Sequence, residues 1–134
     1  MPTLLHLNGP SGVGKTTLAR AHAAAHPGTL LCDIDDLRSW VSGWEDDFIG
    51  TGEAVRTSAL ALVTAYLTTG RDVVLPQLIA TPAQAERFEA AAAEAGATYV
   101  AVMLDLASAN GWEVVDATDR TAALASLDQM AGIE

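Results

Sequence analysis

Short apolar stretches alternate with longer amphipathic stretches along most of the chain. The apolar stretches predict β-strands over residues 3–9, 29–36, 72–80, 98–105 and 112–116. The amphipathic stretches predict helices over residues 15–26, 53–69, 82–95 and 120–131. Residues 37–52, which are rich in tryptophan and acid, have no regular period. Because strands and helices alternate, the pattern predicts an α/β fold with helices on both faces of a five-stranded, mostly parallel sheet.

The composition indicates one globular domain without membrane-spanning segments or disulfides. Half of the 134 residues are hydrophobic, which is enough for a single core. The net charge of −10 argues against broad, non-specific nucleic-acid binding, which depends on many Lys and Arg contacts to phosphates. The one cysteine, Cys32, excludes an internal disulfide and a CxxC metal site. Because the chain has no long apolar run and no secretory leader pattern, we expect a cytoplasmic protein.

The glycine-rich stretch GPSGVGKTT contains the only lysine of the chain, Lys15. Residues 9–16 fit the pattern G-x-x-x-x-G-K-[ST] completely, between a predicted strand and a predicted helix. In this pattern backbone N–H groups surround phosphate oxygens, the lysine reaches the β and γ phosphates, and the hydroxyl, here of Thr16, binds Mg²⁺. We therefore predict a three-layer P-loop NTPase fold. The predicted nucleotide-binding residues of the loop are Gly9, Ser11, Gly12, Val13, Gly14, Lys15, Thr16 and Thr17.

Acidic residues follow the second predicted strand in the stretch DIDDLR, which begins at Asp33. The carboxyl ends of neighbouring parallel strands open onto one crevice, so these acids should face the γ-phosphate. Alternation along a strand would place Asp33 and Asp35 on one side, where Mg²⁺ and an acceptor hydroxyl would offset their repulsion. Asp36 could instead cap a helix, with Arg38 as a surface partner.

The phosphate loop followed by DIDDLR resembles a group of P-loop kinases that includes polynucleotide 5′-kinases, zeta toxins and chloramphenicol phosphotransferase, and more distantly shikimate and gluconate kinases. The resemblance implies that ATP and Mg²⁺ are bound. It also implies that Asp35 is the general base, that Arg38 holds an anionic group of the acceptor, and that Asp33 lies near the water shell of the metal. By the same resemblance, Asp116 and Thr118 belong to a loop beside the adenine.

The segment between the second and third strands should close over the acceptor. Trp40, Trp44 and Phe48 lie there with three acids at residues 45–47 among them, which would suit a neutral or cationic small molecule. The alternative is that the tryptophans pack a short helix onto the sheet. Two further polar residues are open to either interpretation. Arg56 could bind an acceptor phosphate or pair with Glu53, and Gln77, where many P-loop proteins have a Walker B aspartate, could contact the acceptor or an attacking water.

The kinases that the chain resembles carry an arginine-bearing lid after strand four. This chain has no arginine between Arg87 and Arg120, and only residues 106–111 separate Asp105 from Trp112. A parallel crossover normally needs about a dozen residues or more. Either a lid segment near residues 105–112 is missing from a single domain spanning residues 1–134, or the protein has no lid and its last strand is antiparallel or absent. We interpret the gap as a missing segment.

The sequence therefore predicts an ATP-dependent kinase that transfers the γ-phosphoryl group to a hydroxyl of a small-molecule acceptor. Lys15 would act with Asp35 and Arg38 in catalysis. The first alternative is a polynucleotide 5′-hydroxyl kinase, which DDLR favours. The second is a nucleotide-binding ATPase or switch without an acceptor; the absence of the base-reading motif N-K-x-D argues against a GTPase. The oligomeric state stays open.

Overall fold

Five parallel strands form the centre of the protein in a computed structural model that describes residues 1–9, 14–78, 81–104 and 113–115. The strands lie in the order β2-β3-β1-β4-β5, and each neighbouring pair is parallel. The predicted five-stranded sheet is thus confirmed. The strands are β1 (Thr3–Asn8), β2 (Leu30–Leu31), β3 (Val73–Pro76), β4 (Thr98–Leu104) and β5 (Glu113–Val115).

Helices cover both faces of this sheet, as the sequence predicts. Successive residues of β1 point to opposite faces, so that Leu4 packs with α3 and α4 whereas Leu5 packs with α1. Buried apolar residues form one cluster on each side, which gives three layers. The described helices are α1 (Lys15–Ala25), α2 (Ile34–Ser39), α3 (Phe48–Thr68) and α4 (Pro82–Glu94), with a single 3-10 turn at Trp44–Asp46. The helix predicted over residues 120–131 lies outside the described residues.

The second strand is much shorter than the sequence predicts. It ends at Leu31, because Asp33 adopts the N-cap position of α2 and its Oδ1 accepts hydrogen bonds from the backbone N–H groups of Asp35 (3.0 Å) and Asp36 (3.4 Å). A capped helix satisfies these donors, whereas β2 is an edge strand with one side unpaired. The prediction that residues 29–36 form a strand was therefore wrong at its carboxyl end.

The third helix begins at Phe48, five residues before its predicted start. Asp47 caps it by accepting a hydrogen bond from the Gly50 N–H at 3.2 Å. A methyl group on Gly50 would lie 2.6 Å from Asp47 Oδ2, so the glycine leaves room for the capping carboxylate. Glycines in a first turn lower helix propensity by about 1 kcal/mol each, which made this segment look irregular in sequence.

The fifth strand pairs in parallel with β4, so the alternative of an antiparallel or absent last strand is wrong. The register joins Val102 to Glu113 and Leu104 to Val115. β5 begins beside Val102, which lies two residues before the end of β4. Between the two strands the chain therefore has to travel back only about 7 Å along the strand direction. The eight residues 105–112 lie outside the described residues, but a chain of that length reaches up to roughly 26 Å. This register therefore does not require a full crossover.

A buried histidine links β1 to β4 and to the residue that follows β3. His6 in β1 is fully buried, and its ring lies edge-on to Phe88 at 5.6 Å. Its Nε2 lies 3.3 Å from the Gln77 carbonyl and its Nδ1 lies 2.8 Å from the Tyr99 hydroxyl. A carbonyl only accepts, so Nε2 carries the proton and Nδ1 accepts from Tyr99. Burial lowers the pKa of His6 to about 4.

A second histidine is buried in the first helix. His22 lies within α1, and its ring centroid lies 4.6 Å from that of His26.

The depressed pKa of His6 predicts acid lability. In the unfolded chain the imidazole binds a proton as the pH falls through about 6.5, whereas the folded state resists it until about pH 4. The unfolded state thus binds more protons in this window, and the free energy of unfolding falls by ~3 kcal/mol as the pH drops across it. Urea unfolding at pH 7 and pH 4.5 measures this, and His6→Gln should flatten the difference. Equal pH dependence in wild type and variant would contradict the assignment.

Candidate active site

The phosphate loop leaves the carboxyl end of β1 and enters α1. Gly14 is the N-cap of α1 with φ of 94°, and a methyl group at this position would meet nothing within 4 Å. Backbone conformation rather than space therefore demands glycine there. The first turn of α1 holds no acidic residue and no side-chain cap, which suits a helix end that faces an anion. Lys15 and Thr16, the first two residues of α1, are both half-buried.

A buried asparagine accepts a hydrogen bond from the first residue of this loop. It was not among the residues predicted from the sequence. Asn8 is buried at the end of β1, and its Oδ1 accepts a hydrogen bond from the Gly9 N–H at 2.9 Å. A polar residue at the end of an apolar strand was the available signal. The predicted loop residues Ser11, Gly12 and Val13 lie outside the described residues, as do Asp116 and Thr118.

Asp33 is held by the backbone of the helix that it caps. It is buried, and burial together with the neighbouring Asp36 carboxylate raises its pKa, while its two backbone hydrogen bonds oppose the rise. The argument that strand alternation places Asp33 and Asp35 on one face is wrong, because Asp35 lies in a helical turn. A role for Asp33 near a metal stays a prediction.

Asp35 and Arg38 form an ion pair across one turn of α2. Arg38 Nη1 lies 3.0 Å from Asp35 Oδ1, and the side chains are 11% and 78% exposed, respectively. The interpretation in which Asp36 caps the helix and Arg38 lies on the surface is wrong, because Asp33 is the cap and Arg38 is buried. The pair therefore presents an accessible carboxylate beside a buried cation at the carboxyl end of β2.

The ring of Phe48 packs against the Arg38 guanidinium group. The Arg38 guanidinium carbon lies 4.2 Å from the centre of the Phe48 ring, within the range of a cation–π contact. Phe48 begins α3, which ends beside the start of β3, so the first turn of α3 lies at the same sheet edge as the phosphate loop. The contact thus ties α2 to α3 at this edge.

Aromatic and acidic residues between α2 and α3 are largely exposed. Trp40 is 78% exposed and Phe48 is 56% exposed, whereas Trp44 is half-buried. The alternative in which the tryptophans pack a helix onto the sheet therefore fails for Trp40. The three acids at residues 45–47 are exposed as well, so their charge faces solvent.

Gln77 follows β3 directly, at the carboxyl edge of the sheet. Its N–H donates to the Leu7 carbonyl at 3.0 Å, and its own carbonyl accepts from His6. Its side-chain amide donates to the Leu78 carbonyl at 3.3 Å. Both backbone polar groups of Gln77 are thus hydrogen-bonded to residues of β1, while its half-buried side chain lies at the edge of the sheet.

Metal-binding clusters and membrane-spanning helices are both absent from the described residues. Within residues 1–9, 14–78, 81–104 and 113–115, no cluster of three or more His, Cys, Asp or Glu residues is placed to hold a metal ion. Over the same ranges, every helix is too short or too polar to cross a membrane.

The chain belongs to the AAA_33 family, described as an AAA domain, which it matches over residues 4–126. Its fold resembles that of the APS kinase of Mycobacterium tuberculosis, with 14% identity, a TM-score of 0.76, and 96% of each chain covered. It also resembles a gluconokinase from Sinorhizobium meliloti 1021, with 17% identity, a TM-score of 0.67, and 98% of this chain and 94% of that chain covered.

A third structure, of the M. tuberculosis APS kinase in complex with AMPPNP and APS, shares 19% identity with a TM-score of 0.62, covering 78% of this chain and 64% of that chain. At these identities the likeness shows the fold. A search of curated proteins gives no match.

The capping role of Asp33 predicts a specific loss of stability. Asp33→Ala removes the acceptor of two amide groups and should lower the free energy of unfolding by ~1–2 kcal/mol at pH 7. Asp36→Ala is the matched control, since Asp36 is exposed and makes no capping bond, and it should change stability little. Equal losses in both variants, measured by urea unfolding, would show that the cap is unimportant.

Proposed function

We propose that the protein is an ATP-dependent kinase that transfers the γ-phosphoryl group to a hydroxyl of a small-molecule acceptor. The observation that carries the proposal is the Asp35–Arg38 ion pair. It lies in α2, the helix that begins at the same sheet edge as the phosphate loop. An accessible carboxylate there can accept the proton of an acceptor hydroxyl. Membership of the AAA domain family and the fold shared with two kinds of kinase support this choice.

Each catalytic residue has a distinct role in this proposal. The amides of the phosphate loop and Lys15 hold the phosphates of ATP. The acceptor oxygen forms a bond to the γ-phosphorus as the bond from that phosphorus to the β–γ bridging oxygen breaks, and ADP leaves. The hydroxyl proton moves to the Asp35 carboxylate late in a loose transition state. Arg38 keeps that carboxylate oriented and faces the acceptor.

The residues at the start of α1 fit a magnesium nucleotide. The helix end is free of acidic residues, and the half-buried Thr16 follows Lys15 directly. Thr16 would supply the hydroxyl ligand and Asp33 would lie near the water shell of the metal. When bound, Mg²⁺ offsets negative charge on the phosphate oxygens. We include Asp116 and Thr118 as residues beside the adenine, on the basis of sequence resemblance.

A single domain spanning residues 1–134 is part of the proposal. The absence of arginine between Arg87 and Arg120 remains the argument for a missing lid. A cytoplasmic location is proposed from the sequence, because its one cysteine, Cys32, leaves no internal disulfide and it contains no long apolar run.

A polynucleotide 5′-hydroxyl kinase is the second candidate, because the spacing of Asp35 and Arg38 matches that group. The net charge of −10 and the exposed acids at residues 45–47 weigh against a long polyanion. The accessible Asp35 carboxylate at this edge favours a kinase over a switch or ATPase without an acceptor.

The base assignment predicts a selective loss of phosphoryl transfer. Asp35→Asn should reduce kcat for transfer by roughly 10²–10⁴-fold, because the acceptor proton loses its carboxylate, while ATP affinity changes little. Asp36→Asn is the matched control, as an adjacent, exposed acid on the same helix, and should retain activity. ADP release is measured with and without hydroxyl acceptors. An unchanged kcat in Asp35→Asn would refute the role of Asp35.

The phosphate-loop assignment predicts that Lys15→Ala weakens ATP binding by about tenfold or more, because the only point charge of the loop is lost. Arg20→Ala removes another cation from the exposed surface of α1 and should leave the affinity unchanged. Calorimetric titration with Mg-ATP measures both. Full affinity in Lys15→Ala would overturn the phosphate-loop assignment, and with it the kinase proposal.

A further inference from the structure

The hydrogen-bond ladder between β1 and β3 stops one step before the phosphate loop. In the part of the chain that the structure describes, the last paired residues of these two strands are Leu7 and Pro76. The last ladder bond runs from the Gln77 N–H to the Leu7 carbonyl. In a regular parallel ladder the next bond would run from the Gly9 N–H to the Gln77 carbonyl. That bond would join the first residue of the loop to the residue that follows β3.

Two buried side chains of β1 replace this next ladder bond. The Gly9 N–H donates instead to Asn8 Oδ1 at 2.9 Å. The Gln77 carbonyl accepts instead from His6 Nε2 at 3.3 Å. Each backbone group is thus satisfied by a side chain of β1 and not by the neighbouring strand. The side chains of Asn8 and His6 therefore end the pairing of β1 with β3 at this point.

Stability alone does not explain a histidine at this position. β1 is the central strand of the sheet, and His6 is fully buried in it. An apolar residue would pack against Phe88 without the cost of burying a polar ring, and the ladder bond would still satisfy the Gln77 carbonyl. The Tyr99 hydroxyl also donates to Nδ1 of the ring at 2.8 Å, which fixes the tautomer that donates to Gln77. A buried polar pair is thus present where an uninterrupted sheet needs none.

The gap between β1 and β3 lies at the place where ligands bind in sheets of this kind. The chain leaves β1 into α1, which packs on the face of the sheet that holds Leu5. It leaves β3 into α4, which packs on the opposite face with Leu4. Neighbouring parallel strands whose following helices lie on opposite faces form a crevice at their carboxyl ends. The phosphate loop borders this crevice on one side and Gln77 borders it on the other.

The side chain of Gln77 can exchange its one hydrogen bond for a ligand. Its amide nitrogen donates to the Leu78 carbonyl at 3.3 Å, which is long for such a bond, and the position is exposed. The backbone of Gln77 is fixed by Leu7 and His6, so the side chain starts from a defined point. A carboxamide N–H is a suitable donor to a phosphoryl oxygen.

We propose that His6 is a positioning residue for the γ-phosphoryl group: it holds the Gln77 backbone away from Gly9, so that the Gln77 amide donates to an oxygen of that group. This inference rests on the proposed kinase function and adds to it a residue that does not touch the nucleotide. Asn8 acts on the other partner of the replaced bond, because its Oδ1 occupies the Gly9 N–H. Strands joined by a ladder lie about 4.8 Å apart, which leaves no room for a phosphoryl group between them.

Nuclear magnetic resonance detects the replaced ladder bond directly. A scalar coupling between the Gly9 nitrogen and the Gln77 carbonyl carbon passes only through a hydrogen bond that joins them. We expect no coupling in wild type, and a coupling in His6→Leu and in Asn8→Ala, which lose the competing side-chain donor and acceptor. His6→Gln keeps a donor and should show no coupling. A coupling in wild type, or none in either His6→Leu or Asn8→Ala, would overturn the proposal. If His6→Leu does not fold, Asn8→Ala decides the test.

Nucleotide affinity tests whether this arrangement serves the γ-phosphoryl group. The probes are Mg-ADP and a non-hydrolysable Mg-ATP analogue, each titrated calorimetrically. His6→Leu and Gln77→Ala should weaken binding of the analogue by about tenfold and leave that of Mg-ADP within about twofold of wild type. His6→Gln should restore the affinity for the analogue. Phe88→Leu is the matched control, since it opens space beside the His6 ring without removing the bond to Gln77, and should leave both affinities unchanged. Equal losses for both nucleotides in His6→Leu would show a merely structural role.

A double variant shows whether His6 acts through Gln77. His6→Leu combined with Gln77→Ala should bind the analogue no more weakly than Gln77→Ala alone, whereas additive losses would contradict the proposal. Transfer assays with hydroxyl acceptors separate this inference from the kinase proposal. Analogue affinities that follow His6 and Gln77, with no transfer to any acceptor by wild type, would keep the positioning role and reject the kinase. Equal transfer and equal affinities in wild type and His6→Leu would keep the kinase and reject the positioning role.

Discussion

The direction of the strands is the constraint on which the rest of this protein depends. β1 pairs in parallel with both β3 and β4, so the segments that leave its carboxyl end and that of β3 emerge at one edge. The phosphate loop, the cap of α2 and Gln77 all follow strands at that edge. The first turn of α3 reaches the same edge because α3 ends beside the start of β3. Strand direction thus brings groups that are far apart in sequence to one edge of the sheet.

Charge at this edge is divided unequally between the interior and the solvent. The acids outnumber the cations in the whole chain, yet Asp35 and the acids at residues 45–47 are exposed whereas Arg38 is buried. A buried charge acts through a lower dielectric and is screened less than an exposed one. Net charge therefore describes the surface of this protein better than it describes the surroundings of the buried Arg38.

The stretch DIDDLR shows where local pattern fails as a guide. Alternation favoured a strand through Asp35, and a helix cap was considered only at Asp36, whereas the structure places the cap at Asp33. The helix cap forms because it satisfies backbone N–H groups, whereas a longer β2 would be paired on one side only, as an edge strand. The start of α3 was missed for a related reason, since Gly50 and Gly52 break a helical pattern in sequence but make room for Asp47 and Arg38 in space.

Local sequence was sufficient for the order of the strands along the chain, the parallel α/β class and the phosphate loop, because periodicity and a motif of fixed spacing depend on neighbouring residues. The burial of His6 and Arg38, the proximity of Arg56 to Arg38 and the register of β5 depend on which elements pack together. Such contacts join residues whose separation along the chain carries no repeating signal. Only packing of α2 against α3 could bring the guanidinium groups of Arg38 and Arg56 to the same glycine, Gly52.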